Sequence, residues 1–137
     1  MEYKVEISDE EKALMDQGSG LYKQGALKKA LPIFLQLSQA HPESPMLTAT
    51  LANLYWDLGN IETAEGLFYK AVTIGPKSEK ISRGLLHILW EQNKEPDAVN
   101  EIQRFLNEGE DSESYIDIAK EINLKRKFSI IIPPSNS

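Results

Sequence analysis

Residues 45–78 read PMLTATLANLYWDLGNIETAEGLFYKAVTIGPKS. Leu47, Leu51, Leu54, Tyr55 and Leu58 recur at three and four residues, as do Ile61, Ala64, Leu67, Phe68, Ala71 and Val72. That is the spacing of one apolar stripe on an α-helix, found twice. Between the runs stands Gly59-Asn60, a turn signal that also stops the first helix. Ser44-Pro45 sets an N-cap before a first-turn proline. The stretch is therefore a helix–turn–helix unit.

The unit repeats. Shifted by 34 residues, Gly25 meets Gly59 and then Asn93, all residue types that tolerate the left-handed conformation ending a helix. Ala30 meets Ala64 and Ala98, Phe34 meets Phe68 and Ile102, Pro42 meets Pro76, and Tyr22 meets Trp56 and Trp90. Small, large, turn and aromatic positions fall in register together, which chance rarely arranges. Upstream, Ser8 with Glu11 three residues later reads as a capping box for the first helix.

The frame Leu51-Ala52-x-x-Tyr55, Gly59, Ala64, Phe68, Ala71 and Pro76 resembles the tetratricopeptide repeat, whose period is also 34. The middle repeat, 45–78, fits best. In the first, 11–44, Gly18, Tyr22, Gly25, Ala30, Phe34 and Pro42 follow the frame, with the tyrosine one residue past the family's slot. In the third, 79–112, Leu86 takes the usual small site and Glu110 the closing proline, the degeneracy expected of a terminal repeat. The expected fold is all-α: a right-handed α-solenoid over 11–127, made of three helix–turn–helix repeats spanning 11–112 and a helix that closes them. A seventh capping helix over 113–127 carries Tyr115, Ile118, Ala119 and Ile122 on one stripe. Gly18, Ala52, Ala30, Ala64 and Ala98 are small where helices cross, leaving room for Phe34 and Phe68. Both termini are expected to be extended. In 1–10, Tyr3, Val5 and Ile7 alternate with polar residues, a weak strand signal. The tail, 128–137, begins apolar and runs into Pro133-Pro134.

Composition narrows the function. The chain has 137 residues, no cysteine and a formal net charge of −6 with interspersed signs. That excludes disulfides and cysteine chemistry, and argues against nucleic acid or an anionic membrane as partner. The one dense basic run, Lys125, Arg126 and Lys127, is too short to track phosphates. No apolar stretch approaches the roughly 20 residues of a membrane span, and no signal-peptide pattern opens the chain, so cytoplasmic residence is the default expectation. Metalloprotease, phosphate-loop, dinucleotide and serine-elbow motifs are absent. His41 and His87 have no matching acidic ligand cluster, and His41 before Pro42 reads as structural. Glu10-Glu11 and Glu110-Asp111 sit at helix starts, where capping and the helix dipole account for them. No catalytic residue, metal or cofactor is expected.

In tetratricopeptide proteins the first helix of each pair lines a concave face that holds partners. By register the resemblance places Met15, Ala49 and Arg83 in one column, Ser19, Asn53 and His87 in a second, and Tyr22, Trp56 and Trp90 in a third. The third is an aromatic ladder. Large aromatics at helical spacing also pack cores, but Leu21, Tyr55 and Leu89 already fill the adjacent inward column. Lys23, Asp57 and Glu91 flank the ladder with charge, which places it near the water boundary. Members that grip a C-terminal carboxylate use lysine, asparagine and arginine at places occupied here by Met15, Ser19, Thr50, Lys80 and Gly84. Only Lys80 fits, so a more apolar ligand is implied.

The implied function is a protein–protein adaptor holding an extended or helical partner segment. Two alternatives stand beside it: a secretion-type chaperone, which the chain resembles in size, acidity and groove character, and a self-assembling scaffold. The scaffold would use Phe128, Ile130, Ile131 and Ile132, which either fold back on the last helix or dock on a second copy.

Overall fold

The computed structural model describes residues 6–134. Among the described residues seven helices follow one another: α1 (Asp9–Lys23), α2 (Leu27–Ala40), α3 (Pro45–Asp57), α4 (Ile61–Ile74), α5 (Glu79–Glu91), α6 (Glu95–Glu108) and α7 (Glu113–Leu124). No strand occurs among the described residues. Tyr3 and Val5 of the expected strand lie outside them, and Ile7 is not in a strand. Asp9 and Glu10, expected in an extended segment, form the first turn of α1.

Four of the helices among the described residues start on a serine cap. Ser8 accepts from the Glu11 N–H at 3.1 Å and its own N–H donates to Glu11 Oε1 at 3.2 Å, completing the capping box. Ser44, Ser78 and Ser112 cap α3, α5 and α7 by accepting from Leu47, Ile81 and Tyr115 N–H groups at 3.2, 3.3 and 3.2 Å. These three serines are themselves 34 residues apart. The turns inside the repeats are alike: Gly25, Gly59 and Asn93 take φ of 79°, 88° and 57°. The next residue's N–H then bonds back to Leu21, Tyr55 and Leu89 carbonyls at 2.8, 2.8 and 3.0 Å.

The chain forms two compact units, Met1–Ile74 and Gly75–Ser137. In the first, α1 packs on α2, α2 on α3 and α3 on α4. Its core joins Ala30, Phe34, Leu37, Leu47, Leu51 and Leu54, with Leu14, Tyr22 and Leu67 packed against them. A methyl group added at Gly18 would stand 2.8 Å from Phe34 Cε2, so the absent side chain is what admits the phenylalanine ring. In the second unit α5 packs on α6 and α6 on α7 around Leu85, Ile88, Leu89, Ala98, Ile102, Phe105 and Tyr115, all fully buried.

Two ends are tied down. His41, between α2 and α3, meets Glu11 at 2.7 Å. The Ser8 N–H first, and His41 second, hold the Glu11 carboxyl below its ordinary value of 4.5. A depressed carboxyl contributes stability that is present above the unfolded value and is lost as pH falls through the folded one. Wild type is thus expected to exceed Glu11→Gln in stability above pH 4.5 and to converge with it on further acidification. Urea titrations of both proteins across that range check this, and parallel curves would contradict it.

At the other end α7 stops at Leu124, three residues short of the expected 127. Arg126 adopts φ 58°, the left-handed region, and reverses the chain. The segment that follows lies back along the same chain, with Ile130 buried and bonded to Asn123.

Candidate protein-binding surface

In the first unit, Ser19, Tyr22 and Asn53 line a shallow cavity of about 280 Å³ together with Lys23, Phe34 and Thr50. The register that aligned these positions therefore brings them together in space. Tyr22 is half-buried, and its hydroxyl donates to the Asp57 carboxylate. Burial, and then that bond to an anion, raises the phenol's pKa well above the ordinary range. Trp56 is half-buried and set edge-on to Phe68, with centroids 6.0 Å apart and planes at 89°. Two of the three ladder aromatics are thus committed to partners within their own unit. Met15 packs against the core. Ala49, by contrast, is only 9% exposed. On α3 the exposed positions are Met46, Asn53 and Asp57, and the single methyl of Ala49 offers little beside them.

The second unit differs. Trp90 on α5 is 46% exposed. It stands in an open cleft of about 520 Å³ whose apolar walls are Leu86, Trp90 and Ile118 and whose rim is Arg83, His87 and Glu91. All three residues that the register assigned here line that cleft. Ile118 of α7 was expected on the capping stripe; instead it forms a wall of the cleft. Arg83 is held in place by Glu79 at 3.6 Å and by the Tyr115 ring, 5.8 Å from its guanidinium carbon.

The second unit also holds a polar cluster that sequence patterning missed. Glu101 is 5% exposed, accepts from Ser82 Oγ at 2.6 Å, and takes Arg104 Nε and Nη2 in a two-pronged grip at 2.6 and 2.7 Å. The Tyr115 hydroxyl donates to Ser82 Oγ at 2.7 Å, and Arg104 Nη1 to the Pro76 carbonyl at 2.8 Å. The bonds to Glu101 raise the Arg104 pKa, against its partial burial. Burial pushes the Tyr115 phenol up to about 12. The cluster joins α5, α6 and α7, and the first and last of these also line the cleft. Its one sequence signal is that Glu101 falls on the stripe Ala98, Ile102, Phe105.

Among the described residues no three metal-ligating side chains stand together, and no helix is long and apolar enough to cross a membrane. His41 is engaged by Glu11, and His87 sits on the cleft rim. What the surface offers is apolar contact, an indole N–H and charges of both signs at the edge.

No family model matches the chain, and no curated protein sequence does. Solved structures do match its fold. The first tetratricopeptide domain of Spaghetti (RPAP3), bound to an HSP90 peptide, is 20% identical with a TM-score of 0.67, over 85% of this chain and 94% of that one. The Yersinia enterocolitica type III secretion chaperone SycD, in complex with a peptide of the translocator YopD, is 13% identical with a TM-score of 0.71, over 88% and 98%. The Sgt2 tetratricopeptide domain of Aspergillus fumigatus is 19% identical with a TM-score of 0.65, over 95% and 89%. MamA of Desulfovibrio magneticus RS-1 matches at a TM-score of 0.67 and 15% identity over 74% of this chain, which spans 58% of that one. The fold is the tetratricopeptide-repeat fold.

Proposed function

We propose that this chain, built on the tetratricopeptide-repeat fold, is a non-catalytic interaction module that holds a segment of a partner protein. The observation carrying the proposal is Trp90: a large aromatic, 46% exposed, set in an open cleft with apolar walls and a charged rim. An exposed tryptophan costs solvation free energy unless a partner covers it, and a rigid aromatic in a pocket is the usual energetic centre of an interface. Two solved structures of the same fold hold peptides, from HSP90 and from YopD. The ligand favoured here is an extended or helical segment that inserts an apolar side chain beside Trp90. An acidic chain terminus is disfavoured, since only Lys80 carries a suitable residue type.

The test is a display selection of random peptides on the whole chain, followed by titration of the enriched sequences. Trp90→Ala is expected to weaken binding by about thirtyfold, an anchor's worth of roughly 2 kcal/mol, and to leave the thermal midpoint nearly unchanged. Trp56→Ala is expected to lower the midpoint instead, because Trp56 packs on Phe68. Undiminished binding by Trp90→Ala would remove the cleft from the function.

A chaperone for an exported substrate is the second reading, supported by the match to SycD over nearly all of both chains. The two differ in what they do for a partner. A chaperone keeps an otherwise insoluble co-expressed protein in solution, whereas an adaptor binds one already folded.

A further inference from the structure

The segment after α7 is held by an unusual device. A side-chain carboxamide can present an N–H and a carbonyl oxygen side by side in one plane, the pair that a neighbouring strand offers to a residue in a sheet. Asn123 on α7 uses both on Ile130: its Oδ1 accepts from the Ile130 N–H at 2.7 Å and its Nδ2 donates to the Ile130 carbonyl at 2.9 Å. Gln103 on α6 does the same for Ile131, at 2.7 and 2.8 Å. Consecutive residues of an extended chain turn their backbone groups to opposite edges, so the two amides grip the segment from both sides. The Ile130 side chain is 4% exposed, whereas Ile131 is 75% exposed. This is a site for an extended backbone with one apolar anchor.

Its present occupant reaches it through a strained reversal. Only residues 125–129 separate the end of α7 from Ile130, and Arg126 among them takes φ 58°, a conformation that side chains other than glycine's resist. If the same segment came from another copy, it would make the same four hydrogen bonds and bury the same isoleucine without that turn. Identical contacts with a relaxed hinge are the conditions for exchange of an element between protomers.

We propose that the α6–α7 amide site binds residues 128–132 of a second copy of this chain, so that two copies exchange these segments reciprocally. The exchanged form gains with concentration, because it trades an intramolecular contact for an intermolecular one.

The experiment changes the hinge and leaves the site alone. Arg126→Pro fixes φ near −65° and forbids the reversal; it also disfavours the helical conformation of Lys125 before it. Sedimentation equilibrium on the full chain is expected to show a mass about twice that of a single copy, with the Ile130 and Ile131 amides still protected from hydrogen exchange. Adding Gln103→Ala and Asn123→Ala should return it to single copies. Arg126→Gly, which takes the turn without strain, should lower the dimer fraction below that of wild type at every concentration. A single-copy Arg126→Pro protein would overturn the proposal, as would a dimer that survives loss of both amides. Should Arg126→Pro fail to fold, identical concentration profiles for wild type and Arg126→Gly would overturn it as well.

Discussion

Phe68→Ala is expected to cost about 4 kcal/mol, in the range for emptying a buried phenylalanine site. Phe68 is 1% exposed, and the Trp56 ring stands edge-on to it at 6.0 Å. Its neighbours one turn away on α4, Ala64 and Ala71, are fully buried and too small to collapse into the space. The loss is therefore transfer free energy plus an unfilled cavity. Phe68→Leu, which keeps most of the volume, is expected to cost about 1.5 kcal/mol or less. Urea denaturation read by far-ultraviolet dichroism measures both. A native domain is stable by roughly 5–15 kcal/mol, so the alanine variant should unfold at a much lower urea concentration. A loss below about 1 kcal/mol for alanine would mean that the site relaxes closed.

Glu101→Ala is expected to cost about 3 kcal/mol, the low end of the range for removing one member of a buried ion pair. The low end applies because Arg104 is partly exposed and keeps Glu108 at 3.4 Å and the Pro76 carbonyl at 2.8 Å. Ser82 then loses its acceptor at a fully buried position, and Tyr115 is left bonded to a serine without its own partner. Glu101→Gln keeps the shape and one hydrogen bond to Ser82 but loses the charge that Arg104 grips, for an expected loss of about 1.5 kcal/mol. Denaturation midpoints rank the three proteins, with hydrogen exchange at α5, α6 and α7 reporting where protection falls. Equal midpoints for Glu101→Ala and wild type would show that the cluster only breaks even against its desolvation.

The repeat turns, the caps at Ser8 and Ser44 and the small crossing sites were legible because each is set by a few neighbouring residues in a fixed order; the caps at Ser78 and Ser112 follow from the same 34-residue spacing. The glycine, glycine and asparagine at 25, 59 and 93 take positive φ as their type requires. The Glu101 cluster was not legible. A lone acid on an apolar stripe reads as an interruption, and its partners Ser82 and Tyr115 come from other helices. The ladder was legible as a register but not as a surface. Asp57 takes the Tyr22 hydroxyl and Phe68 backs Trp56, whereas the position 34 beyond Phe68 is Ile102, with no aromatic edge to offer Trp90. Exposure followed these second residues rather than the ladder itself. The grip on the segment after α7 left no trace in periodicity, because Gln103 and Asn123 read only as polar helix residues.

Repeat arrays lengthen and shorten by copying whole units, provided each joint accepts its neighbour. The joint between residues 79–112 and α7 does not accept an arbitrary copy. Position for position, the second repeat would bring Thr48 to the place of Ser82 and Leu67 to that of Glu101. A hydroxyl would survive beside Tyr115 and Lys70 would take the place of Arg104, but the carboxylate that ties them together would be replaced by an isobutyl group. Duplicating 45–78 in place of 79–112 should therefore yield sound turns and caps and a poorly seated last helix. The third unit is the one whose side chains seat α7.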